Sequence, residues 1–310
     1  MAPPIIHTTS NHNSQEHAAQ VLSETLTELS IRHAYIGGFA WRLLGSARQT
    51  EIGENVFRQV LADIPCSRYD IDVLIESPDT LNLRTLREKM AEIDKRFTDT
   101  VLKFYFVEDL DAFSEDSEAQ SSDETIEFRP KERTGIELLS RSKSNVLIET
   151  LSAGTLGLPD SVDLVYNVPS TASADLTLPI LHPSILIFSK LQRWCMSLES
   201  TRPKTLRKAI TDSQDIDYLI GWLIRNGMLI AFDDYEAKKV PKEKLLRNVR
   251  MYRERKESEE DRVVVTQLEE VLNEADKAMI LASASPKAAD PEVDKNNAEI
   301  MQFVLVSLPI

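Results

Sequence analysis

The sequence has few of the features that place a chain in a membrane or in an oxidising compartment. Its two cysteines, Cys66 and Cys195, are too few and too far apart for a disulfide framework or a zinc-ligand motif. No run approaches the roughly 20 apolar residues of a membrane-spanning helix, and the first residues lack a basic start followed by an apolar block. These absences favour a cytoplasmic or nuclear protein without a membrane partner.

The charge of the chain is unevenly distributed. Its 310 residues include 36 basic and 50 acidic side chains, which give a formal net charge of −14. Residues 108–127 hold nine of the acidic side chains and no Lys or Arg, so we expect a solvated acidic loop there. The rest of the chain is then close to neutral, which weakens the argument that its charge would repel nucleic acid.

The pattern of apolar residues predicts an α+β protein. Strands alternate with helices in the first part of the chain, and helical periodicity dominates the last part. We expect a disordered N-terminus over 1–14 and a domain over 15–178, with a small mixed β-sheet and flanking helices. A helical domain over 179–281 follows, and a linker with an apolar tail occupies 282–310.

Two carboxylates and a glycine pair form the most informative pattern. Asp70 and Asp72 lie in YDIDVLIE, and alternation along a strand puts both on one face, about 7 Å apart. Their mutual repulsion suits a divalent cation such as Mg²⁺, which prefers carboxylates and substrate phosphates. Gly37 and Gly38 form a turn before the helix that contains Phe39, where backbone N–H groups suit a phosphate. Each feature alone is weak, because solvated strand carboxylates and plain glycine turns are common.

Together, these features resemble the nucleotidyltransferase superfamily, whose fold is shared with DNA polymerase beta. The stretches GGFAWRLLGSARQT and DIDV are most similar to the AbiEii-type toxin nucleotidyltransferases and their fungal relatives, and the resemblance extends over about 20–225. It implies an enzyme that binds a nucleoside triphosphate such as ATP, uses Mg²⁺ or Mn²⁺, and transfers a nucleoside monophosphate to an unidentified acceptor, for which RNA, protein and a small molecule are the candidates. It also assigns Gly37, Gly38 and Ser46 to nucleotide binding.

The resemblance implies a third acidic metal ligand, for which two residues compete. Glu149, in NVLIETLSAGTLGLP, stands where the relatives have an acidic residue ahead of a G-T-L-x-L-P turn, and we favour it. Asp163, in SVDLVY, is the alternative. The alternative for both residues is a surface carboxylate at the end of a strand, with no metal-binding role. We expect the strand of Glu149 to form a hairpin with the preceding GIELLSRS stretch.

A second matching stretch lies in the predicted helical domain. By resemblance, Lys190, Lys208, Asp212 and Asp215 bind the nucleotide and close over its triphosphate. Lys190 lies in an apolar helix, where a lysine is rarely buried alone, so we expect either an anionic ligand or Asp215 beside it. A lysine whose stem follows the apolar surface out to solvent is the alternative.

The chain departs from the family pattern beside the proposed metal ligands. In the relatives the D-I-D follows the R-x-T stretch within a few residues, whereas 52–69 intervenes here. One interpretation is a tolerated surface loop, since loop length adds little closure entropy. The other is a retained intron that disturbs the site. This departure leaves a second hypothesis, a catalytically inactive nucleotide-binding or scaffold protein that retains the fold.

A basic stretch over 238–256 contains nine basic and two acidic residues on a predicted helix. Such a stretch is usually a solvated helix face. The alternative is a contact for a polyanionic acceptor such as RNA.

Overall fold

The structure is a computed structural model. It describes residues 6, 8–9, 11–46, 70–76, 78, 81–100, 103–108, 139–142, 144–171, 176–198 and 200–282. The insertion over 52–69, the acidic loop beyond Glu108 and the tail beyond Ala282 lie outside the described residues. Within the described part, no helix is both long enough and apolar enough to cross a membrane.

The chain divides into two compact units. The first comprises Met1–Ala153 and Val165–Leu181, and the second comprises Gly154–Leu164 and His182–Ile310. The boundary therefore differs from the one placed after residue 178, and a short internal segment is assigned to the helical unit. That segment is held by Tyr235, whose hydroxyl donates to the Gly157 carbonyl at 2.7 Å. No change in amino-acid composition marks the ends of this segment, so the sequence pattern did not indicate that it belongs to the second unit.

A seven-stranded mixed sheet forms the centre of the first unit. The spatial order of its strands is β3-β4-β5-β2-β1-β7-β6. The pairs β2–β5 and β1–β7 are parallel, and the other neighbouring pairs are antiparallel. The strands are β1 Arg32–Ile36, β2 Ile71–Glu76, β3 Phe97–Asp99, β4 Phe104–Val107, β5 Asn145–Ser152, β6 Val165–Pro169 and β7 Thr177–Leu181.

The predicted hairpin with GIELLSRS is wrong for the described residues. β5 instead lies between β4 and β2, and residues 139–141 form a helical turn. The buried Asn145 amide holds this turn by donating to the Leu139 carbonyl at 2.8 Å and to the Ser142 carbonyl at 3.3 Å. Leu139 packs in a small apolar cluster with Tyr105, so burial overrides the strand propensity of this stretch.

Among the described residues, three helices flank the sheet: α1 His12–Glu28, α2 Gly37–Leu43 and α3 Leu83–Ile93. The Asn11 side chain caps α1 by accepting from the Asn13 N–H at 3.0 Å, so ordered structure begins inside the segment predicted as disordered. α1 covers the sheet face that carries Tyr35, whose hydroxyl contacts the Ala19 carbonyl and lies 2.8 Å from Ser23 Oγ.

The second unit is helical, with α4 Pro183–Ser197, α5 Pro203–Arg225, α6 Lys242–Ser258, α7 Arg262–Glu270 and α8 Glu274–Ala282. Aromatic contacts organise its core. Phe188 of α4 packs on Phe232 with ring centroids 5.0 Å apart, and Trp194 packs edge-on against Tyr252 of α6 at 4.8 Å. The predicted architecture, a mixed sheet with flanking helices followed by C-terminal helices, is confirmed.

Candidate active site

Two neighbouring strands bring three carboxylates together. Asp72 of β2 is the register partner of Glu149 in the parallel strand β5, and Asp70 directly precedes β2. One oxygen from each of the three carboxylates lies within 4.8 Å of the other two. Asp70 and Asp72 are partly buried, and Glu149 is exposed. Across the described residues, no other group of three or more acidic, histidine or cysteine side chains converges in this way.

Strand alternation sets the direction of this carboxylate cluster. Tyr35 pairs with Val73, and the Tyr35 side chain faces α1. Asp72 is adjacent to Val73 and therefore projects from the opposite face of the sheet. Ile71, Val73 and Ile75 are fully buried. The apolar face thus anchors β2 in the core while its other face presents the carboxylates.

Gly37 provides the space that the Asp72 carboxylate occupies. Ile36, the last residue of β1, is the register partner of Asp72, and Gly37 follows it with a φ of +62°. A Cβ at Gly37 would lie 2.7 Å from the carboxyl carbon of Asp72 and closer still to Oδ2. Any side chain here would displace the carboxylate and would be strained in the left-handed backbone region. The sequence pattern predicts only the approach of a phosphate at Gly37. It does not indicate this second role, because the pairing of Ile36 with Asp72 is not visible in the sequence.

The other two residues assigned to the nucleotide in this unit lie at the two ends of α2. Gly38 is the second residue of the helix and is partly buried. Ser46 follows the helix, is buried, and its N–H donates to the Trp41 carbonyl at 3.1 Å. Ile36 at the N-cap forms no side-chain cap, so backbone N–H groups of the first turn have no partner from that residue.

The donor set of the cluster fits a hard divalent cation. Three carboxylates supply only oxygen ligands, which Mg²⁺ and Mn²⁺ prefer, whereas a structural zinc site uses Cys and His. Carboxylates this close repel one another, and a bound cation would remove that repulsion. Asp70, Asp72 and Glu149 are therefore the residues that would hold the metal.

Asp163, the alternative third ligand, belongs to the second unit. It lines a cavity of about 250 Å³ beside α4 rather than a site on β2 or β5. Two further carboxylates, those of Asp234 and Glu236, line the same cavity. The structure therefore groups Glu149 with the two aspartates.

Lys190 is enclosed by an ion-pair network within the second unit. Its Nζ lies 2.7 Å from Asp215 Oδ2 and 3.3 Å from Asp212 Oδ1, and its side chain is only 3% exposed. Asp215 is thus one of the two partners expected. Burial by itself would raise the pKa of Asp212, but the hydrogen bond and charge of Arg193 and the charges of Lys190 and Lys208 hold it below its ordinary value.

The four residues of the helical unit that the resemblance assigns to the nucleotide lie on two helices. Lys190 is on α4, and Lys208, Asp212 and Asp215 are on α5. Lys208 is partly buried, one turn before Asp212. Lys190, Asp212 and Asp215 come together, and Lys208 acts on Asp212 through its charge.

Comparison with known proteins supports the fold and leaves the activity to be tested. No protein-family model matches the chain, and none of the curated proteins matches it. Among solved structures, it is similar to an antigenic nucleotidyltransferase-like protein from Paracoccidioides brasiliensis, with a TM-score of 0.50 and 12% identity over 90% of this chain and 100% of that chain. The chain therefore has the fold of a nucleotidyltransferase-like protein.

Proposed function

We propose that this protein is a metal-dependent nucleotidyltransferase that moves a nucleoside monophosphate from a nucleoside triphosphate, such as ATP, to an acceptor and releases pyrophosphate. The observation that carries the proposal is the convergence of Asp70, Asp72 and Glu149 within 4.8 Å, on a fold similar to that of a nucleotidyltransferase-like protein. The close relation to AbiEii-type enzymes remains a prediction from sequence.

The three carboxylates are assigned to binding Mg²⁺ or Mn²⁺. When bound, such a cation neutralises the charge of the reacting phosphate and activates the attacking hydroxyl group. The backbone hydrogen bonds between β2 and β5 hold Asp72 and Glu149 side by side. Gly37 has no side chain, and the Asp72 carboxylate fills the space that a side chain there would occupy. The ligands are therefore held in place before substrate arrives, which limits reorganisation during the reaction.

In the first unit, the resemblance assigns residues beside α2 to the triphosphate. Gly37 and Gly38 lie at the N-terminal end of α2, where backbone N–H groups suit phosphate oxygens, whereas Ser46 follows the C-terminal end and its assignment to the nucleotide comes from the resemblance alone. Within the helical unit, the resemblance assigns Lys208 to the nucleotide, and Lys208 is less enclosed than Lys190. Lys190, Asp212 and Asp215 then act as positioning residues that tie α4 to α5.

Pyrophosphate release tests this function directly. Purified protein is incubated with Mn²⁺ or Mg²⁺, each of the four labelled nucleoside triphosphates, and cellular RNA or protein as acceptor. We expect pyrophosphate release together with a labelled acceptor or self-labelled protein, and loss of both in Asp72→Asn. Nucleotide binding without pyrophosphate release under every condition would instead support the inactive scaffold.

A further inference from the structure

The basic side chains of α6 do not form a continuous track for a polyanion, because most of them are engaged within the second unit. Two of them each contact two carboxylates outside the helix, one contacts a carboxylate of α6 and another of α7, one pairs with the residue that follows α6, and one donates to backbone carbonyls of α8. The contacts are Lys242 with Asp233 and Asp276, Arg253 with Glu257 and Glu269, Lys256 with Asp217 and Asp261, Arg255 with Glu259, and Arg250 with the carbonyls of Met279 and Ile280.

Lys244 and Arg247 are the exception on this helix. They are three positions apart, so they share one helix face, and both are partly buried. Within the part of the chain that the structure describes, neither forms an ion pair with a carboxylate. Glu243, one turn before Arg247, is exposed and outside ion-pair distance of it. Two cations of like charge thus share a half-buried environment.

A buried donor points to a missing acceptor at this pair. Arg247 Nε is shielded from solvent and has no hydrogen-bond partner among the described residues. Buried guanidinium N–H groups are normally satisfied, so a bound oxygen would remove an unfavourable feature. Burial, and next the charge of Arg247, lower the pKa of Lys244. A bound anion would counter both effects.

Cys195 lies beside the pair but does not supply the negative charge. Its Sγ donates to the Asn248 carbonyl of α6 at 3.8 Å, which places it at the contact of α4 with α6. Burial raises the pKa of its thiol to about 12, so it is neutral at physiological pH. Any anion that neutralises Lys244 and Arg247 therefore comes from outside this group of three residues.

We propose that Lys244 and Arg247 form a binding site for a single phosphate group next to Cys195. The guanidinium presents a planar set of donors that matches two phosphate oxygens, and the ammonium adds a second charge-assisted hydrogen bond. The other basic side chains of α6 already have partners, so only these two cations are left to bind a ligand. Their combined charge suits one phosphate group rather than a polyanion. The ligand is either inorganic phosphate or the phosphate monoester of a larger molecule. This site is separate from the proposed transferase chemistry and does not depend on it.

The Arg247 side-chain resonance reports on this site. The Nε–H signal in a ¹⁵N NMR spectrum is assigned by its loss in Arg247→Lys, and inorganic phosphate is titrated at constant ionic strength against chloride. We expect a saturable shift of this signal and at least a tenfold loss of phosphate affinity in Lys244→Met, which keeps the apolar stem of the side chain. Lys238→Met, at an exposed lysine, is the matched control and should bind as the unmodified protein does.

Three results would overturn the proposal: no saturable shift, an equal shift with chloride, or unchanged phosphate affinity in a folded Lys244→Met. Competition by short RNA oligomers then identifies the source of the phosphate. An oligomer that competes only when it carries a terminal phosphate indicates a monoester ligand, and no competition indicates the free ion. Equal competition by the oligomer lacking that phosphate would show general polyanion binding and contradict a single-phosphate site.

Discussion

The Asp72 carboxylate lies directly against the Cα of Gly37, in the space that a side chain at Gly37 would occupy. The turn from β1 into α2 and the carboxylate cluster are therefore one structural feature. The glycine adopts a left-handed φ, and the carboxylate fills the volume left by its missing side chain.

Gly37→Ala is expected to disturb the cluster as well as the turn. The new methyl group would push Asp72 away, so we predict at least a tenfold loss of Mn²⁺ affinity, measured by electron paramagnetic resonance. Gly227→Ala is the matched control, because Gly227 has the same φ of +62° but no atom within 4 Å of an added Cβ. Both variants should lose about 1–2 kcal/mol of unfolding free energy from the backbone conformation. Equal Mn²⁺ affinity in the two variants would separate Gly37 from the metal site.

Asp72→Asn should abolish metal binding without unfolding the protein. Removal of one negative charge relieves repulsion among three carboxylates, so the metal-free variant should be as stable as the unmodified protein or slightly more so. Calorimetric titration with Mn²⁺ and thermal unfolding in a chelator measure the two effects. Asp163→Asn should retain Mn²⁺ binding. A metal-free Asp72→Asn protein that unfolds would indicate a structural carboxylate instead.

Lys190→Met should be strongly destabilising, because it leaves Asp215 and Asp212 buried with less compensating charge. Breaking a buried ion pair from one side typically costs about 3–5 kcal/mol. The exposed pair Arg255–Glu259 offers a control, and Arg255→Met should cost less than about 1 kcal/mol. Denaturant unfolding gives both values. A change in nucleotide affinity with unchanged stability would return Lys190 to the triphosphate site.

Acid stability should depend on Glu16. This buried carboxylate of α1 accepts hydrogen bonds from Ser170 Oγ at 2.7 Å and from the Thr171 N–H at 2.8 Å. Burial would raise the pKa of Glu16, but these hydrogen bonds and His12 lower it below 4.5 overall. A carboxylate whose pKa is lowered by folding stabilises the protein when the pH is above its pKa in the unfolded state. This stabilisation is lost as the pH falls through its pKa in the folded state. Glu16→Gln should therefore be less stable than the unmodified protein at pH 7, by an amount that shrinks towards pH 3. A constant difference across denaturant titrations from pH 7 to pH 3 would contradict this.

Deletion of 52–69 tests the departure from the family pattern. If this segment is an added loop, the shortened protein should fold at least as well and bind Mn²⁺ with nucleotide as tightly, because a short connection leaves β1 and β2 less freedom. Circular dichroism and Mn²⁺ titration measure the two properties. Aggregation or loss of binding would show that the segment is integrated into the fold.

Local periodicity determined much of what the sequence predicted correctly. Alternation in YDIDVLIE puts Ile71 and Val73 in the core and Asp72 on the other face, because neighbouring side chains of a strand point to opposite sides. Apolar spacing of three and four residues predicted the C-terminal helices in the same way. Both patterns depend only on residues within one element.

Tertiary structure alone decided which elements meet. Glu149 completes the cluster because β5 pairs in parallel with β2, and the hairpin that local propensity predicted does not form among the described residues. The contact between Gly37 and Asp72 likewise joins a helix to a strand, and the structure decides between the two partners expected for Lys190 by pairing it with Asp215. Such contacts follow from strand register and helix packing across the whole unit, and these depend on the burial of many side chains at once rather than on any local sequence pattern.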